Sequence, residues 1–229
     1  MKKLIVFDLD NTLAKVGKGT LPQDVALLKQ LEKKEVHIAI CSGKPTFYLC
    51  GFMRQIGLEN PILIGENGAV IQFGVDLPPA TYEILPYSKE AKETLRFLKE
   101  AFTELLPHVW YQPNEVGLTP FLTKQEEFDT INRCIEENKD KVNDVIVYQH
   151  FDCFDITPNG ITKSSGIDYL AKMLGLSEED VIAVGDGIND YPMFEYAGTA
   201  LGINVAEEER VDKNFATITE ALEYILQLG

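Results

Sequence analysis

The chain has 229 residues, enough for one large domain or two modest ones. Its 45% hydrophobic, 25% charged and 10% aromatic residues are typical of a soluble globular protein and disfavour collagen-like, disordered and disulfide-scaffold classes. The 21 Lys and Arg against 36 Asp and Glu give a net charge of −15 at pH 7, which repels nucleic-acid backbones and anionic membranes. We therefore expect neither nucleic acid nor a membrane as partner.

The beginning of the chain does not resemble an export signal. Only Leu4–Phe7 is apolar there, whereas a signal peptide needs a run of roughly 7–15 apolar residues. No other run approaches the ~18 residues of a membrane-spanning helix. Four widely spaced cysteines lie in apolar patterns typical of buried thiols: Cys41, Cys50, Cys134 and Cys153. We expect these cysteines to be reduced and the protein to be cytoplasmic.

Strands and helices alternate over the first part of the chain. Lys3–Phe7 and Glu35–Cys41 are continuous apolar runs, as in strands that are buried on both faces. The pattern further predicts helices over Pro22–Lys34 and Pro45–Gly57, and strands over Ile62–Ile64 and Ala69–Phe73. Alternation of this kind predicts a parallel sheet with helices on both faces.

The pattern changes at Leu77–Ala80, because consecutive prolines continue neither a helix nor a central strand. The segment beyond this linker has the predicted order αββαββ. Its elements are helix Ser88–Leu105, strands Val109–Tyr111 and Val116–Thr119, helix Lys124–Asn138, and strands Asp144–Gln149 and Cys153–Ile156. Short connections favour antiparallel pairing, so the segment is predicted to be a small α+β module.

The alternating pattern resumes after residues 157–160. It predicts helix Lys163–Leu174, strand Val181–Val184, a helix from Asp190, strand Ala200–Ile203 and helix Thr219–Leu228. The predicted fold class is therefore α/β, a Rossmann-like parallel-sheet core with an inserted α+β (αββαββ) domain. The predicted limits are residues 1–82 and 158–229 for the core and 83–157 for the insert.

Two carboxylates directly follow the first predicted strand. Asp8 and Asp10 are two residues apart, so their side chains point to the same side and can converge. They lie at the carboxyl end of the sheet, where open α/β sheets bind ligands. Taken alone, the stretch Asp8–Thr12 is explained equally well as a turn, because Asp and Asn are ordinary turn formers.

A second acidic loop, Gly185–Asp190, follows the predicted strand Val181–Val184. Two acidic loops at one sheet edge repel each other unless a cation neutralises them, and carboxylate oxygens suit Mg²⁺. The pair therefore predicts a metal site. A glycine-rich turn is the plainer interpretation, and a dinucleotide-binding loop is disfavoured because Asp190 replaces the third glycine.

Ser42-Gly43-Lys44-Pro45 follows the second predicted strand and precedes a helix, so its hydroxyl and amides can receive an anion. It is not a P-loop, because Ile38 replaces the first glycine and Pro45 the Ser or Thr. Lys163 begins a later helix. Taken alone, such a lysine is more often an exposed surface charge.

In chain order, these residues resemble the four motifs of the haloacid dehalogenase superfamily of phosphatases. The motifs are Asp8-x-Asp10-x-Thr12, Ser42, Lys163 and Gly185-Asp186-x-x-Asn189-Asp190. The resemblance spans nearly the whole chain, and the insert is similar to the cap of the type IIB (Cof-like) branch. Gly65–Ala69 resembles the Asn-Gly-Ala segment of that branch. Two positions depart from the pattern, since Asn11 replaces Gly and Lys44 replaces an Arg with its bidentate fork.

The resemblance implies a Mg²⁺-dependent phosphatase that acts through an aspartyl-phosphate. It makes Asp8 the nucleophile and Asp10 the general acid–base. It assigns Mg²⁺ to the Asp8 side chain, the Asp10 backbone carbonyl, Asp186 and Asp190. It assigns the phosphate group to Ser42, Gly43, Lys163 and Asn189. The implied substrate is a small phosphomonoester, either a sugar phosphate or a phosphorylated small acid such as phosphoglycolate.

Two other functions stay open. A phosphomutase would use the same phosphorylated Asp8 but return the phosphoryl group to the sugar, and a sensor would bind a phosphorylated ligand without turnover. In the insert, most of the aromatic residues Trp110, Tyr111 and Phe121, with His108, are predicted to form its core instead of a substrate pocket. His37 and His150 are predicted to be strand residues.

Overall fold

The strands predicted outside the insert lie together in one sheet. The computed structural model describes residues 3–228. Met1, Lys2 and Gly229, which the predicted domain limits include, lie outside this range. The elements up to residue 84 are β1 (Leu4–Phe7), α1 (Pro22–Glu32), β2 (His37–Cys41), α2 (Thr46–Ile56), β3 (Ile62–Gly65), β4 (Val70–Phe73) and β5 (Thr81–Ile84).

The middle of the chain contributes α3 (Lys89–Leu105), β6 (Trp110–Tyr111), β7 (Pro120–Phe121), α4 (Gln125–Glu137), β8 (Val145–Gln149) and β9 (Phe154–Pro158). The last part contributes α5 (Lys163–Leu174), β10 (Val181–Gly185), α6 (Tyr191–Tyr196), β11 (Thr199–Ile203), β12 (Lys213–Phe215) and α7 (Ile218–Gln227). Among residues 3–228, no helix is both long and apolar enough to cross a membrane.

The described residues divide into two compact units. One unit runs to Ile84 and resumes at Thr162, and the other spans Leu85–Ile161. The α/β class predicted from the alternating pattern is confirmed. The predicted domain boundaries, between residues 82 and 83 and between residues 157 and 158, refer to domains that fold independently. These boundaries stay a proposal.

The described part of the first unit contains an eight-stranded sheet in the order β12-β11-β10-β1-β2-β3-β4-β5. The strands from β12 to β3 are parallel, and β4 and β5 are antiparallel additions. In the centre, Phe7 pairs with Val184 of β10 and Ile40 of β2. The chain therefore leaves all three strands at the same edge of the sheet, as the motif analysis requires.

Burial explains why the central strands are apolar throughout. Every residue of β1 is buried, and on one face Ile5 and Phe7 pack into a core with Leu28 of α1, Leu49 of α2 and Leu222 of α7. Each such side chain stabilises the fold by about 1.5–3 kcal/mol relative to an exposed position. Strands buried on both faces are expected for a sheet that helices cover on both sides.

The sequence pattern misses two strands at the edges of the sheet. Thr81–Ile84 follows the prolines of the predicted linker, yet it pairs antiparallel with β4, with Thr81 opposite Phe73. Its residues are alternately half-buried and exposed, so it lacks the continuous apolar run of the central strands. The other missed strand, Lys213–Phe215, has three residues. Short and polar edge strands are common because they limit unwanted pairing.

The second unit packs α3 and α4 against two short antiparallel ladders, β6–β7 and β8–β9. The isolated bridge between Phe121 and Cys153 links the ladders. The strand predicted at Val116–Thr119 is misplaced, because Trp110 pairs with Phe121 and not with a residue of that segment. Leu118 instead bridges to Ile156. The pairing partner depends on the register of the distant β9, which a local pattern does not contain.

The predicted core role of the aromatic residues and His108 is wrong for Trp110, whose exposed fraction is 61%, and for His108, whose side chain is 65% exposed. Successive residues of a strand point to opposite faces, so Tyr111 packs on the core while Trp110 packs against Phe121 in a tilted arrangement, with ring centroids 5.3 Å apart. His108 bonds to Glu127, with 2.8 Å between Nε2 and Oε1. The four cysteines are free and buried within the described chain, as predicted.

Candidate active site

Asp8 continues the backbone ladder of the central strand into the site. Its N–H donates to Val184 O at 2.8 Å, and the residue is only 4% exposed. The position is fixed by β1 and β10 together. The sheet therefore places the predicted nucleophile beside the second acidic loop, Gly185–Asp190.

Lys163 is buried and bridges two carboxylates. Its Nζ lies 2.6 Å from Asp8 Oδ1 and 2.6 Å from Asp190 Oδ1. Lys163 is 2% exposed and Asp190 is 0% exposed, so the surface-charge interpretation of this lysine is wrong. Desolvation of an unpaired ion costs several kcal/mol. The three groups are therefore stable here as a hydrogen-bonded set.

Asp190 also holds the acidic loop in place. Its Oδ2 accepts from the backbone N–H of Asp186 at 2.9 Å and of Gly187 at 3.1 Å. Both oxygens of this carboxylate are thus engaged, one by the ammonium of Lys163 and one by the loop amides. Asp190 fixes the position of Asp186 relative to Lys163.

Asp186 completes a carboxylate cluster. Asp8, Asp186 and Asp190 each place one carboxylate oxygen within 4.8 Å of the others, and Thr12 Oγ1 donates to Asp186 Oδ1 at 3.2 Å. Thr12 is absent from the predicted site residues, although its position two residues after Asp10 in the first motif could have identified it as one. The cluster supplies the hard oxygen ligands that a divalent cation prefers.

Electrostatics at the cluster fit a cation. Burial raises the pKa of Asp8 to about 7, with Asp190 adding to the effect and Lys163 opposing it. Burial, followed by repulsion from Asp190, raises the pKa of Asp186 to about 6. Ionisation of both groups is therefore less favourable than for a free carboxyl group, and a divalent cation relieves that cost.

Lys163 has the opposite shift. Burial lowers its pKa, but the charges of Asp190 and Asp8 outweigh burial and raise it. The lysine is therefore a permanent cation. Burial also raises the pKa of the neighbouring Cys41 to about 12, so this thiol is protonated at neutral pH and supplies no nucleophile.

Asp10 lies at the more open side of the site. Its Oδ2 is 3.4 Å from Lys44 Nζ, and both side chains are about 30% exposed. Asn11 follows with a φ of 63° and donates its N–H to Ala14 O at 2.7 Å. Asn and Gly are the residues that most readily adopt this left-handed conformation. The replacement of the family's Gly by Asn11 therefore preserves the turn.

The remaining predicted phosphate ligands lie in loops that follow β2 and β10 at the same edge of the sheet. Ser42 is buried, and its Oγ accepts from the N–H of Lys44 at 3.3 Å. Gly43 lies between them in the loop that joins β2 to α2. Asn189 is exposed in the short 3-10 turn Ile188–Asp190. The roles of all these residues stay predictions.

Comparison with known proteins identifies the family of this chain. A family model described as haloacid dehalogenase-like hydrolase matches residues 5–116 and 88–221. The chain is 30% identical over 230 residues to a phosphoglycolate phosphatase of Methanosarcina acetivorans, covering 96% of this chain and 90% of that protein. It is 24% identical to an HMP-PP phosphatase of Serratia proteamaculans, covering 86% and 82%.

A solved structure of a subclass IIB sugar phosphatase of the superfamily has the same fold. Its TM-score is 0.72 with 20% sequence identity, and the match covers 98% of this chain and 99% of that one. This match shows that the two folds agree. The family model and the Methanosarcina relative carry the assignment further: this chain belongs to the haloacid dehalogenase-like hydrolases.

Proposed function

We propose that the protein is a Mg²⁺-dependent phosphatase that hydrolyses a small phosphomonoester through an aspartyl-phosphate on Asp8. The observation that carries the proposal is the buried Asp8 carboxylate, bonded to Lys163 and beside Asp186 and Asp190 at the carboxyl edge of the sheet. A fixed carboxylate beside a permanent cation is suited to attack on a phosphoryl group.

In the first step, a carboxylate oxygen of Asp8 forms a bond to phosphorus while the bond to the leaving oxygen breaks. Asp10 donates a proton to that oxygen, which leaves as an alcohol. In the second step, Asp10 takes a proton from water, the water oxygen bonds to phosphorus, and the Asp8–phosphate bond breaks to release inorganic phosphate. Lys44 lies beside Asp10 and orients its carboxylate.

Lys163 has two tasks in this mechanism. Its bond to Asp8 Oδ1 orients the nucleophile in the resting site, and its charge stabilises the negative charge of the transition state. Ser42, Gly43 and Asn189 are proposed to bind the phosphoryl oxygens with Lys163. The burial of Asp8, Ser42 and Lys163 limits the access of water to the site.

Asp8, Asp186, the backbone carbonyl of Asp10 and Asp190 are the proposed Mg²⁺ ligands. Direct ligation by Asp190 requires it to share an oxygen that already accepts from Lys163 or from the loop amides. When bound, Mg²⁺ neutralises and orients the phosphoryl oxygens.

The proposed substrate class is a phosphorylated small acid, such as phosphoglycolate, or a sugar phosphate. Support comes from the Methanosarcina relative, which is named a phosphoglycolate phosphatase, and from the net charge of −15, which disfavours polyanionic partners such as nucleic acids. The free buried cysteines further support a reducing compartment, and we infer a cytoplasmic protein.

The test is phosphate release from a panel of phosphomonoesters with Mg²⁺, including phosphoglycolate, hexose phosphates and phosphoserine. Release from one ester at a rate well above the others supports the proposal. Conversion of a hexose 1-phosphate to its isomer without phosphate release would identify a phosphomutase instead. Tight binding with negligible turnover of every ester would identify a sensor.

A further inference from the structure

Three successive residues after β3 have left-handed backbone conformations. Glu66, Asn67 and Gly68 have φ values of 53°, 54° and 107°. Gly and Asn tolerate this region, but Glu adopts it at an energetic cost. Strained backbone persists only where the surroundings determine it, and it is concentrated at functional sites. We call Glu66–Gly68 the β3 turn.

On one side, the β3 turn holds the loop that contains Ser42. The N–H of Asn67 donates to Ser42 O at 3.0 Å, and the N–H of Glu66 donates to Lys44 O at 3.0 Å. These bonds fix the carbonyls of the loop that joins β2 to α2. The position of the Ser42 loop therefore depends on the conformation of the β3 turn.

On its other side, the β3 turn contacts the first turn of α5 backbone to backbone. A Cβ added to Gly68 would lie 2.1 Å from Thr162 O, and one added to Gly166 would lie 2.6 Å from Gly68 Cα. Both distances are far below van der Waals contact, and the atoms that would be met are backbone atoms. Neither position accommodates a methyl group without movement of the helix.

The helix that is packed so closely begins at Lys163. Because Thr162 immediately precedes Lys163, a shift of this first turn moves the lysine backbone directly. The Lys163 ammonium is held at 2.6 Å from each of two carboxylates, so a shift of about 1 Å is large on the scale of these bonds.

We propose that Gly68 and Gly166 are positioning residues, whose backbone contact sets the place of Lys163 relative to Asp8 and the Ser42 loop. The two glycines do not touch the reacting atoms. Because they have no side chains, the β3 turn and the first turn of α5 come into backbone contact. The β3 turn then fixes the positions of both α5 and the Ser42 loop. The kinetic part of the test rests on the proposed phosphatase function, whereas its labelling part does not.

The experiment compares the variants Gly68→Ala and Gly166→Ala with the matched control Gly74→Ala. Gly74 lies in the same unit with a φ of 74°, and a Cβ added there meets nothing within 4 Å. The control therefore introduces backbone strain without a contact. Phosphate release and urea unfolding are measured for all three. Lys163 acetylation by acetic anhydride is followed by peptide mass spectrometry.

We expect kcat to fall by about 100-fold in Gly68→Ala and Gly166→Ala, since a 1 Å misplacement of a catalytic group has an effect of that size. Gly74→Ala keeps the wild-type kcat. Lys163 is acetylated faster in the first two variants, because its burial and ion pairs are weakened, and stays protected in Gly74→Ala.

Folded Gly68→Ala and Gly166→Ala variants with kcat within about twofold of the control would overturn the proposal, since a twofold change is below 1 kcal/mol. So would a loss of kcat without faster acetylation of Lys163. If Gly68→Ala does not fold, Gly166→Ala decides, because Ala is a better helix former than Gly and compensates part of the strain. If the wild-type protein releases no phosphate, the proposed function fails, and acetylation of Lys163 alone then decides the proposal.

Discussion

The ammonium of Lys44 lies 3.4 Å from Oδ2 of Asp10, on the side of the site where both residues are partly exposed. Lys44 stands where the family pattern has an Arg. A lysine supplies the charge of that Arg but not its two parallel donors. The contact with Asp10 shows that a single ammonium is sufficient to pair with the proposed general acid–base.

The first prediction concerns this pair. Lys44→Met should lower kcat about two- to fivefold, because a partly exposed ion pair contributes about 0.2–1 kcal/mol. Lys44→Arg, which keeps the charge, should stay close to wild type in steady-state assays. A Lys44→Met variant with unchanged kcat would show that Asp10 does not depend on this neighbour for its orientation.

The second prediction concerns the nucleophile. Asp8→Asn should reduce phosphate release by at least about 10⁴-fold, since loss of a nucleophile removes the covalent route. The circular dichroism spectrum should not change, because Asn preserves the shape of the buried side chain. Asp76→Asn, at an exposed position of the same unit, is the control. Substantial hydrolysis of p-nitrophenyl phosphate by Asp8→Asn would remove Asp8 from the mechanism.

The third prediction concerns the metal. Removal of divalent ions with EDTA should abolish turnover, and Mg²⁺ should restore it. Mg²⁺ at 100 times its Kd should stabilise the fold by ~2.7 kcal/mol and raise Tm by about 5–10 °C. Asp186→Asn should lose most of this shift, whereas Glu223→Gln, at an exposed position, should keep it. Full turnover in a metal-free preparation would contradict the cation site.

The fourth prediction concerns pH and the second unit. The hydrogen bond from His108, with those from the N–H groups of Thr123 and Lys124, lowers the pKa of Glu127 from 4.5 to about 2. Because the folded-state pKa is the lower one, ionised Glu127 stabilises the fold above pH 4.5, and this stabilisation is lost as pH falls towards 2. Glu127→Gln should therefore unfold more readily than wild type at pH 7 and approach it near pH 2.

Urea unfolding followed by Trp110 fluorescence measures the free energy of unfolding of each variant, since the single tryptophan lies in the same unit as Glu127. Glu126→Gln is the control, because Glu126 is the exposed neighbour of Glu127. A difference between Glu127→Gln and wild type that does not change with pH would refute the assigned cause.

The convergence of the two acidic loops could be predicted because it follows from strand order. Parallel neighbouring strands end at one edge, so Asp8 and Asp186 had to come close once both strands were identified. Lys163 could not be placed in this way. Its burial depends on α5 packing against the β3 turn, a contact between segments almost 100 positions apart, and the residue type alone favours the surface.

The errors in the second unit have a related cause. The pattern correctly predicts α3 and α4, whose apolar stripes are local. It misplaces β7, because two-residue strands such as Pro120–Phe121 take their register from partners elsewhere in the chain. Trp110 and Tyr111 are adjacent aromatic residues, and only the strand pairing decides which of them faces the core.

The attachment points of the second unit differ in their constraints. The chain leaves the sheet after β5, four strands away from β1, but it returns at Thr162, the residue before Lys163. A chimera that exchanges segment 85–161 for that of a relative therefore has a tolerant first junction and a demanding second one. Grafts that vary the splice near Ile84 should keep turnover, whereas one residue added after Ile161 should displace Lys163.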